Sequence, residues 1–151
     1  MEKRLAGLSD VPTLIELRKK QLIDEGLPPD SLQMDIDMEL ADYFTSAISD
    51  RSFIPWVMDN DGEIIATSGV RFYALPPNFS NPSGRVAYIT NMYTKPEYRR
   101  NGIAAELLDM VIEEAKTREY KVVRLHTSEF GRSIYLKAGF TYSDGYMALR
   151  I

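Results

Sequence analysis

"NMYTKPEYRRNGIAAELL", residues 91–108, runs from an apolar stretch through a proline, two arginines and an Asn-Gly pair into an amphipathic segment. Asn-Gly is a turn signal. Downstream, Ile103, Leu107, Val111 and Ala115 form one stripe, with Ala104, Leu108 and Ile112 beside it and Glu106, Asp109 and Glu113 opposite. That period predicts a helix over 102–118, with Lys116 and Arg118 late, where the helix dipole favours cations. Upstream, "RVAYITNMYT" (85–94) is apolar on both faces for most of its length and suits a central strand. The unit is therefore strand, short loop, helix. A helix start leaves backbone N–H groups unpaired and favours negative charge, so "RRNGIA" (99–104) reads either as a plain turn or as a seat for a pyrophosphate-sized anion. On the second reading Gly102 and Ala104 keep the approach clear, and Arg99 and Arg100 supply charge.

The rest of the chain extends the pattern. "SDVPTLIELRKKQLIDEG" predicts a first helix, capped by Ser9 or Asp10, with Pro12 in its first turn, an apolar face including Leu14, Leu17 and Leu22, and Gly26 as its stop. "LPPD" is a break. "SLQMDIDMELADYFTSAI" predicts a second helix through Leu32, Ile36, Leu40 and Phe44. The period then changes to that of strands, with a hairpin around Asn60-Asp61-Gly62. After the loop "PPNFSNPSG" and the 85–118 unit come a strand over "KVVRLHTS", a short helix in "EFGRSIYLKAG" ending at Gly139, and a closing hairpin around Asp144-Gly145. Hairpins pair strands antiparallel, whereas the strand–helix–strand unit at 85–128 requires a parallel pair with a right-handed crossover. This predicts a mixed α+β sheet in a three-layer α/β/α-like arrangement.

Composition narrows the function classes. A chain of 151 residues is read as a single domain, residues 1–151. No apolar run reaches the ~20 residues of a membrane span, and the N-terminal residues do not read as a signal peptide. There is no cysteine, which excludes disulfides, thiolate metal sites and a cysteine nucleophile. That composition fits a cytoplasmic protein. One histidine cannot build a histidine-rich metal site, and a net charge of −4 argues against nucleic acid as a partner. Residues 21–50 carry Asp24, Glu25, Asp30, Asp35, Asp37, Glu39, Asp42 and Asp50 with no Lys or Arg. They form either a solvated face or a wall that attracts cations.

No G-x-G-x-x-G or G-x-x-x-x-G-K-[S/T] loop is present. The combination of "NMYTKPEYRRNGIAAELL" with "SIYLKAGF", in this order of elements, instead resembles the GNAT superfamily of acetyl-CoA-dependent N-acetyltransferases. Arg99-x-x-Gly102-x-Ala104 matches the family's cofactor loop. The resemblance implies a GNAT-type acyl-CoA N-acyltransferase fold whose central strand splays from its neighbour, with acetyl-CoA in the gap and no metal. It implies that the backbone of Met92, Tyr93 and Thr94 pairs with the pantetheine arm, that the Tyr93 N–H polarises the thioester carbonyl, and that the N–H groups of Arg100, Asn101, Gly102, Ile103 and Ala104, with Arg99, hold the pyrophosphate. Tyr135 aligns with the family's tyrosine near the cofactor sulfur and is a candidate proton donor, a phenol of pKa near ~10 facing a thiol near ~8.5. Its competing reading is a core tyrosine.

Two departures matter. Where many members carry Asn seven residues before the tyrosine, this chain has Ser128. Where some carry a catalytic Glu on the central strand, it has Tyr88. The amine must lose a proton before it attacks; water, Glu25 or His126 are the candidates to accept it, with Tyr88 and Thr90 beside them as substrate contacts. The family places its first helices over the acceptor, so the acids at 21–50 lead to the expectation of a small cationic amine: a polyamine, an amino sugar, a basic amino acid or a lysine-like amine. Tyr43, Phe44, Trp56, Phe72, Tyr73 and Phe79 are candidates for that pocket or for the core. Family analogy adds a homodimer. A non-catalytic acyl-CoA sensor on the same fold is the alternative.

Overall fold

The computed structural model describes residues 1–26, 34–143 and 147–151. The elements are β1 (Glu2–Leu5), α1 (Val11–Asp24), α2 (Asp37–Ser49), β2 (Phe53–Asn60), β3 (Glu63–Ala74), β4 (Arg85–Thr94), α3 (Ile103–Thr117), β5 (Val123–Leu125) and α4 (Arg132–Lys137). One sheet has the order β1-β2-β3-β4-β5. Its first three pairings are antiparallel, and β4–β5 is parallel. The crossover through α3 accounts for that last pairing, because parallel neighbours need a long connection.

Helices cover both faces. On one, Val11, Leu14 and Leu17 of α1 and Phe44 and Ala47 of α2 bury Phe53, Val57 and Ile64. On the other, Leu108, Val111 and Ala115 of α3 and Tyr135 of α4 bury Ile54, Val70, Phe72, Ala87 and Ile89. The alternation along β2 (Phe53 and Val57 one way, Ile54 the other) is the period-two rule at work. Gly69 on β3 is required by packing: a Cβ there would lie 2.2 Å from the Phe53 ring.

Several expectations are corrected. β1 was not read from the sequence; its "EKRL" is polar, as suits an edge strand. Asp10 does not cap α1. Its carboxylate accepts from the Gly7 N–H at 2.8 Å and from Arg4, and that guanidinium holds its pKa below the ordinary carboxylate value. The buried stripe of α1 continues through Gln21 rather than Leu22. α2 starts at Asp37, later than expected, and Leu32 and "LPPD" lie outside the described residues. β5 spans three residues instead of the eight of "KVVRLHTS". Residues 140–143 and 147–151 form neither helix nor strand, and the expected turn at Asp144-Gly145 lies outside the described residues.

Candidate active site

The site begins with an irregularity in β4. Gly69 pairs with Thr90, but Thr67 pairs with Tyr93, so three steps on β4 match two on β3. The extra residue is a β-bulge centred on Asn91, which sits at φ +57°. A one-residue slip exchanges the two faces of a strand. Before the bulge, Ala87 and Ile89 pack toward α3; after it, Tyr93 packs among α1 and α2 residues instead.

The bulge also turns the backbone. The Leu75 N–H donates to Gly84 O and the Lys95 N–H to Ile65 O, both across the β3–β4 pair, while the Ala87 N–H donates to Val122 O beside β5. Alternation then directs the Tyr93 N–H toward β3 and those of Met92 and Thr94 away from it. The β4–β5 pairing stops at Ile89↔Leu125. Beyond it, the edge of β4 at residues 90–94 has no strand partner among the described residues, which is the splay the resemblance implies. The direction of the Tyr93 N–H differs from the expected role: the backbone groups facing the gap belong to Met92 and Thr94. Asn91, which sequence reasoning missed, is 4% exposed here, and its Nδ2 has no hydrogen-bond partner.

At the end of β4, Pro96–Tyr98 form a short 3-10 turn leading into the loop before α3. Arg100 (φ +64°) and Gly102 (φ +80°) both take the left-handed conformation. The first helical bond is from the Glu106 N–H to Gly102 O. Among the described residues, the N–H groups of Arg100, Asn101, Gly102, Ile103 and Ala104 donate to no protein acceptor. A Cβ on Gly102 would meet nothing within 4 Å and would project into the open space in front of the loop. Five N–H groups without acceptors, at the positive end of a helix of fifteen residues, fit a pyrophosphate. Asn101 Nδ2 donates to Tyr98 O (3.2 Å) and thereby ties the turn. Ile103 is buried under the sheet.

Arg99 behaves differently from its expected role. Its Nε donates to Thr94 O at 2.9 Å, its guanidinium pairs with Asp24 at the end of α1, and it lies 5.5 Å from the Tyr93 ring centre. It clasps α1 to β4 rather than pointing charge at the loop; of the two loop arginines, Arg100 has no side-chain partner among the described residues.

Across the gap, a cleft of about 710 Å³ is lined by Tyr73, Tyr88, Arg124, His126, Tyr135 and Phe140, among others. Tyr135 is buried, and that burial, with a smaller contribution from the charge of Glu25, pushes its phenol up to about 12. The hydroxyl is therefore protonated at neutral pH. Two features fix the ring. The Gly139 and Phe140 N–H groups donate to Leu136 O and Tyr135 O, closing α4 in a Schellman motif with Gly139 at φ +93°, and Phe140 meets Tyr135 edge-on at 6.0 Å. Gly131 leaves room for the ring, since a Cβ there would lie 2.6 Å from it. Ser128 Oγ accepts from the Gly131 N–H at 3.3 Å, so this departure from the family pattern has a structural use at the start of α4.

Glu25 stands at the end of α1, where its carboxylate accepts from Gln21 Nε2 at 2.9 Å. Its charge adds to the upward push on the Tyr135 phenol. His126 and Tyr88 line the cleft wall, and Thr90 Oγ1 contacts Asn91 Oδ1 at 3.4 Å. Of the other described acids of 21–50, Asp24 pairs with Arg99, Asp37 with Lys19, and Asp50 accepts from the Ser52 N–H, while Asp30 lies outside the described residues. Of the proposed aromatic lining, Phe44 and Phe72 are core and Phe79 is fully exposed. Among the described residues, no cluster of His, Asp or Glu is placed to hold a metal, and no helix is long and apolar enough to cross a membrane.

A splayed parallel strand pair, an anion seat at a helix start and a buried phenol across the gap define an acyltransferase of the acyl-CoA-using kind. The sequence model of the Acetyltransferase (GNAT) family matches residues 15–140, and the chain belongs to that family. It is an N-acetyltransferase whose acetyl donor is acetyl-CoA. A predicted acetyltransferase from Clostridium acetobutylicum, solved with acetyl-CoA, is similar at 40% identity and TM-score 0.93, over 99% of this chain and 95% of that one. A GCN5-related N-acetyltransferase from Ralstonia eutropha JMP134 is similar at 25% identity and TM-score 0.91, over 99% and 97% of the two chains. A Trypanosoma brucei acetyltransferase, at 22% identity and TM-score 0.73 over 99% of both chains, shares the fold. No curated protein matches the chain.

Proposed function

We propose that the enzyme transfers the acetyl group directly from acetyl-CoA to a primary amine bound on the α1/α2 side of the gap. The observation that carries this reading is the gap itself: β4 loses its β5 partner beyond Ile89, its bulge turns the Met92 and Thr94 backbone outward, and the row of free N–H groups at 100–104 follows directly. Bound there, acetyl-CoA supplies an acetyl group activated as a thioester. The Met92 N–H faces the gap and takes the oxyanion-stabilising role first expected of Tyr93. The N–H groups of Arg100 to Ala104 hold the pyrophosphate.

Glu25 accepts the proton that the ammonium must lose before its nitrogen attacks. As the N–C bond forms and the C–S bond breaks, Tyr135 gives its proton to the departing sulfur, the new amide nitrogen loses its second proton to solvent, and solvent reprotonates Tyr135. With no cysteine in the chain, transfer in a ternary complex accounts for the chemistry without a thioester on the protein. The test is CoA release from acetyl-CoA across an amine panel, together with acetyl-CoA binding by calorimetry. Release with at least one primary amine is expected. Binding without release on any amine would favour an acyl-CoA sensor.

A further inference from the structure

The sheet face toward α1 and α2 carries a row of side chains that sequence reasoning did not bring together. Arg71 on β3 is in register with Tyr88 on β4, and Tyr88 with Arg124 on β5. Their neighbours Val70, Phe72, Ala87, Ile89, Val123 and Leu125 pack toward α3, so the row faces the other way. Tyr88 and Arg124 also line the cleft that reaches Tyr135.

From α1, Arg18 Nη1 donates to Gln21 Oε1 at 3.0 Å, and Gln21, itself buried, stands between Arg18 and Glu25. Arg71 donates to Ser52 Oγ and lies 5.8 Å from the Tyr43 ring centre. Among the described residues, neither Arg18 nor Arg71 meets a carboxylate, whereas Arg4, Arg99 and Arg118 each do. Both are partly buried. Burial lowers the pKa of the Arg18 guanidinium, with Glu25, Tyr88 and Tyr43 among the groups whose charge it feels. Guanidinium groups partly drawn out of water, with an amide and a hydroxyl as their hydrogen-bond acceptors and no carboxylate in direct contact, are under-compensated, a cost that an incoming anion offsets through charge-assisted, two-point hydrogen bonds.

Among the described residues, Glu25 lies beside Gln21 on the α1 side of this site, and Asp50, whose carboxylate feels the Arg71 charge, lies beside Ser52 on the other. We infer that the acceptor is a primary amine that also carries an anionic group, carboxylate or phosphate, with the anion held by Arg18 and Arg71 and the amino end at Glu25 and Tyr135. This replaces the cationic acceptor expected from the acidic segment, and it rests on the amine-transfer reading above. Arg18 and Arg71 are then specificity-determining residues that touch the substrate away from the reacting atoms.

The test compares kcat/KM for matched acceptors that differ in charge: amino acids against their amides, and phosphoethanolamine against ethanolamine. The anionic member of each favoured pair is expected to be better by at least about tenfold, the scale of one charge-assisted hydrogen bond. Arg18→Gln and Arg71→Gln should each erase most of that preference, lowering kcat/KM for the anionic acceptor far more than for its neutral partner while acetyl-CoA affinity stays the same. Arg71→Lys, which keeps the charge, should retain part of the preference and decides the matter should Arg71→Gln fold poorly. The carboxylate and phosphate pairs show which anion is taken. Neutral or polycationic amines turned over equally well, or a preference that survives both Gln variants, overturns the assignment of the anion. Bound acetyl-CoA with no release on any amine overturns the amine-transfer reading instead.

Discussion

In the proposed complex, the groups that face the ligand at the donor end of the gap are main-chain N–H groups of Met92, Thr94 and residues 100–104, aimed by a bulge and a helix start. At the acceptor end they are side chains: Arg18 and Glu25 from α1, Arg71 from β3, Tyr88 from β4 and Tyr135 from α4. A backbone seat makes few demands on residue identity beyond a small residue at Gly102 and the left-handed turn before α3. A side-chain seat can be rebuilt by substitution without disturbing the fold. The two ends should therefore respond differently to mutation, one through acetyl-CoA affinity and the other through turnover and selectivity.

The sharpest break between the two ends should come from Tyr135→Phe. Losing the proton donor is expected to lower kcat by about 100-fold, with acetyl-CoA affinity by calorimetry nearly unchanged; unchanged turnover would remove Tyr135 from the reaction. Gly102→Val should do the reverse. It forces a β-branched residue into a left-handed conformation and puts its side chain in front of the pyrophosphate seat, so acetyl-CoA Kd should rise by about tenfold or more. Gly131→Ala, made against the Tyr135 ring, should lower kcat by less than Tyr135→Phe, because its methyl displaces the phenol ring without removing the hydroxyl. Wild-type kcat in that variant would show that the ring has slack. Smallest of all, Asp24→Asn should change Tm and acetyl-CoA Kd only slightly, since an exposed ion pair contributes about 0–1 kcal/mol.

A pH dependence separates Tyr135 as a buried group from Tyr135 as a reactant. Its phenol is raised from 10.0 to about 12, so the folded protein holds that proton more tightly than the unfolded chain does. The stabilisation is complete below pH 10 and is lost as pH rises toward 12. Chemical denaturation across that window should show a decline that Tyr135→Phe reduces; an unaltered decline would mean that the ring is better solvated than its burial indicates.

The donor end was the legible one in the sequence, because its chemistry is written in local spacing: an apolar strand, Gly102 at the helix start and the stripe of α3 are all within one stretch. Even there, direction was not legible. Whether Met92 or Tyr93 turns its N–H to the gap depends on the bulge at Asn91, and nothing in "ITNMYT" announces an extra residue. The acceptor end was less legible. Acids crowded between residues 21 and 50 suggested a cationic partner, yet folding spends several of them on Arg99, Lys19 and the Ser52 amide. It also sets two arginines that lie 53 positions apart in the chain where the Tyr43 hydroxyl feels the charge of both. A signal was present in Gln21, a polar residue in the apolar stripe of α1, which holds Arg18 on one side and Glu25 on the other. Polar β1 escaped, and β5 is shorter than expected, because a strand that borrows its partners from elsewhere needs little periodicity of its own.

The central claim is that acetyl-CoA lies along the unpaired edge of β4 and against the loop before α3. Backbone amide NMR during titration with CoA and acetyl-CoA tests it most directly. The largest shifts are predicted at Met92, Thr94 and Arg100 to Ala104, with Tyr93 moving less because its N–H points to β3. Saturable binding that leaves these amides in place and moves those of another face would contradict the account.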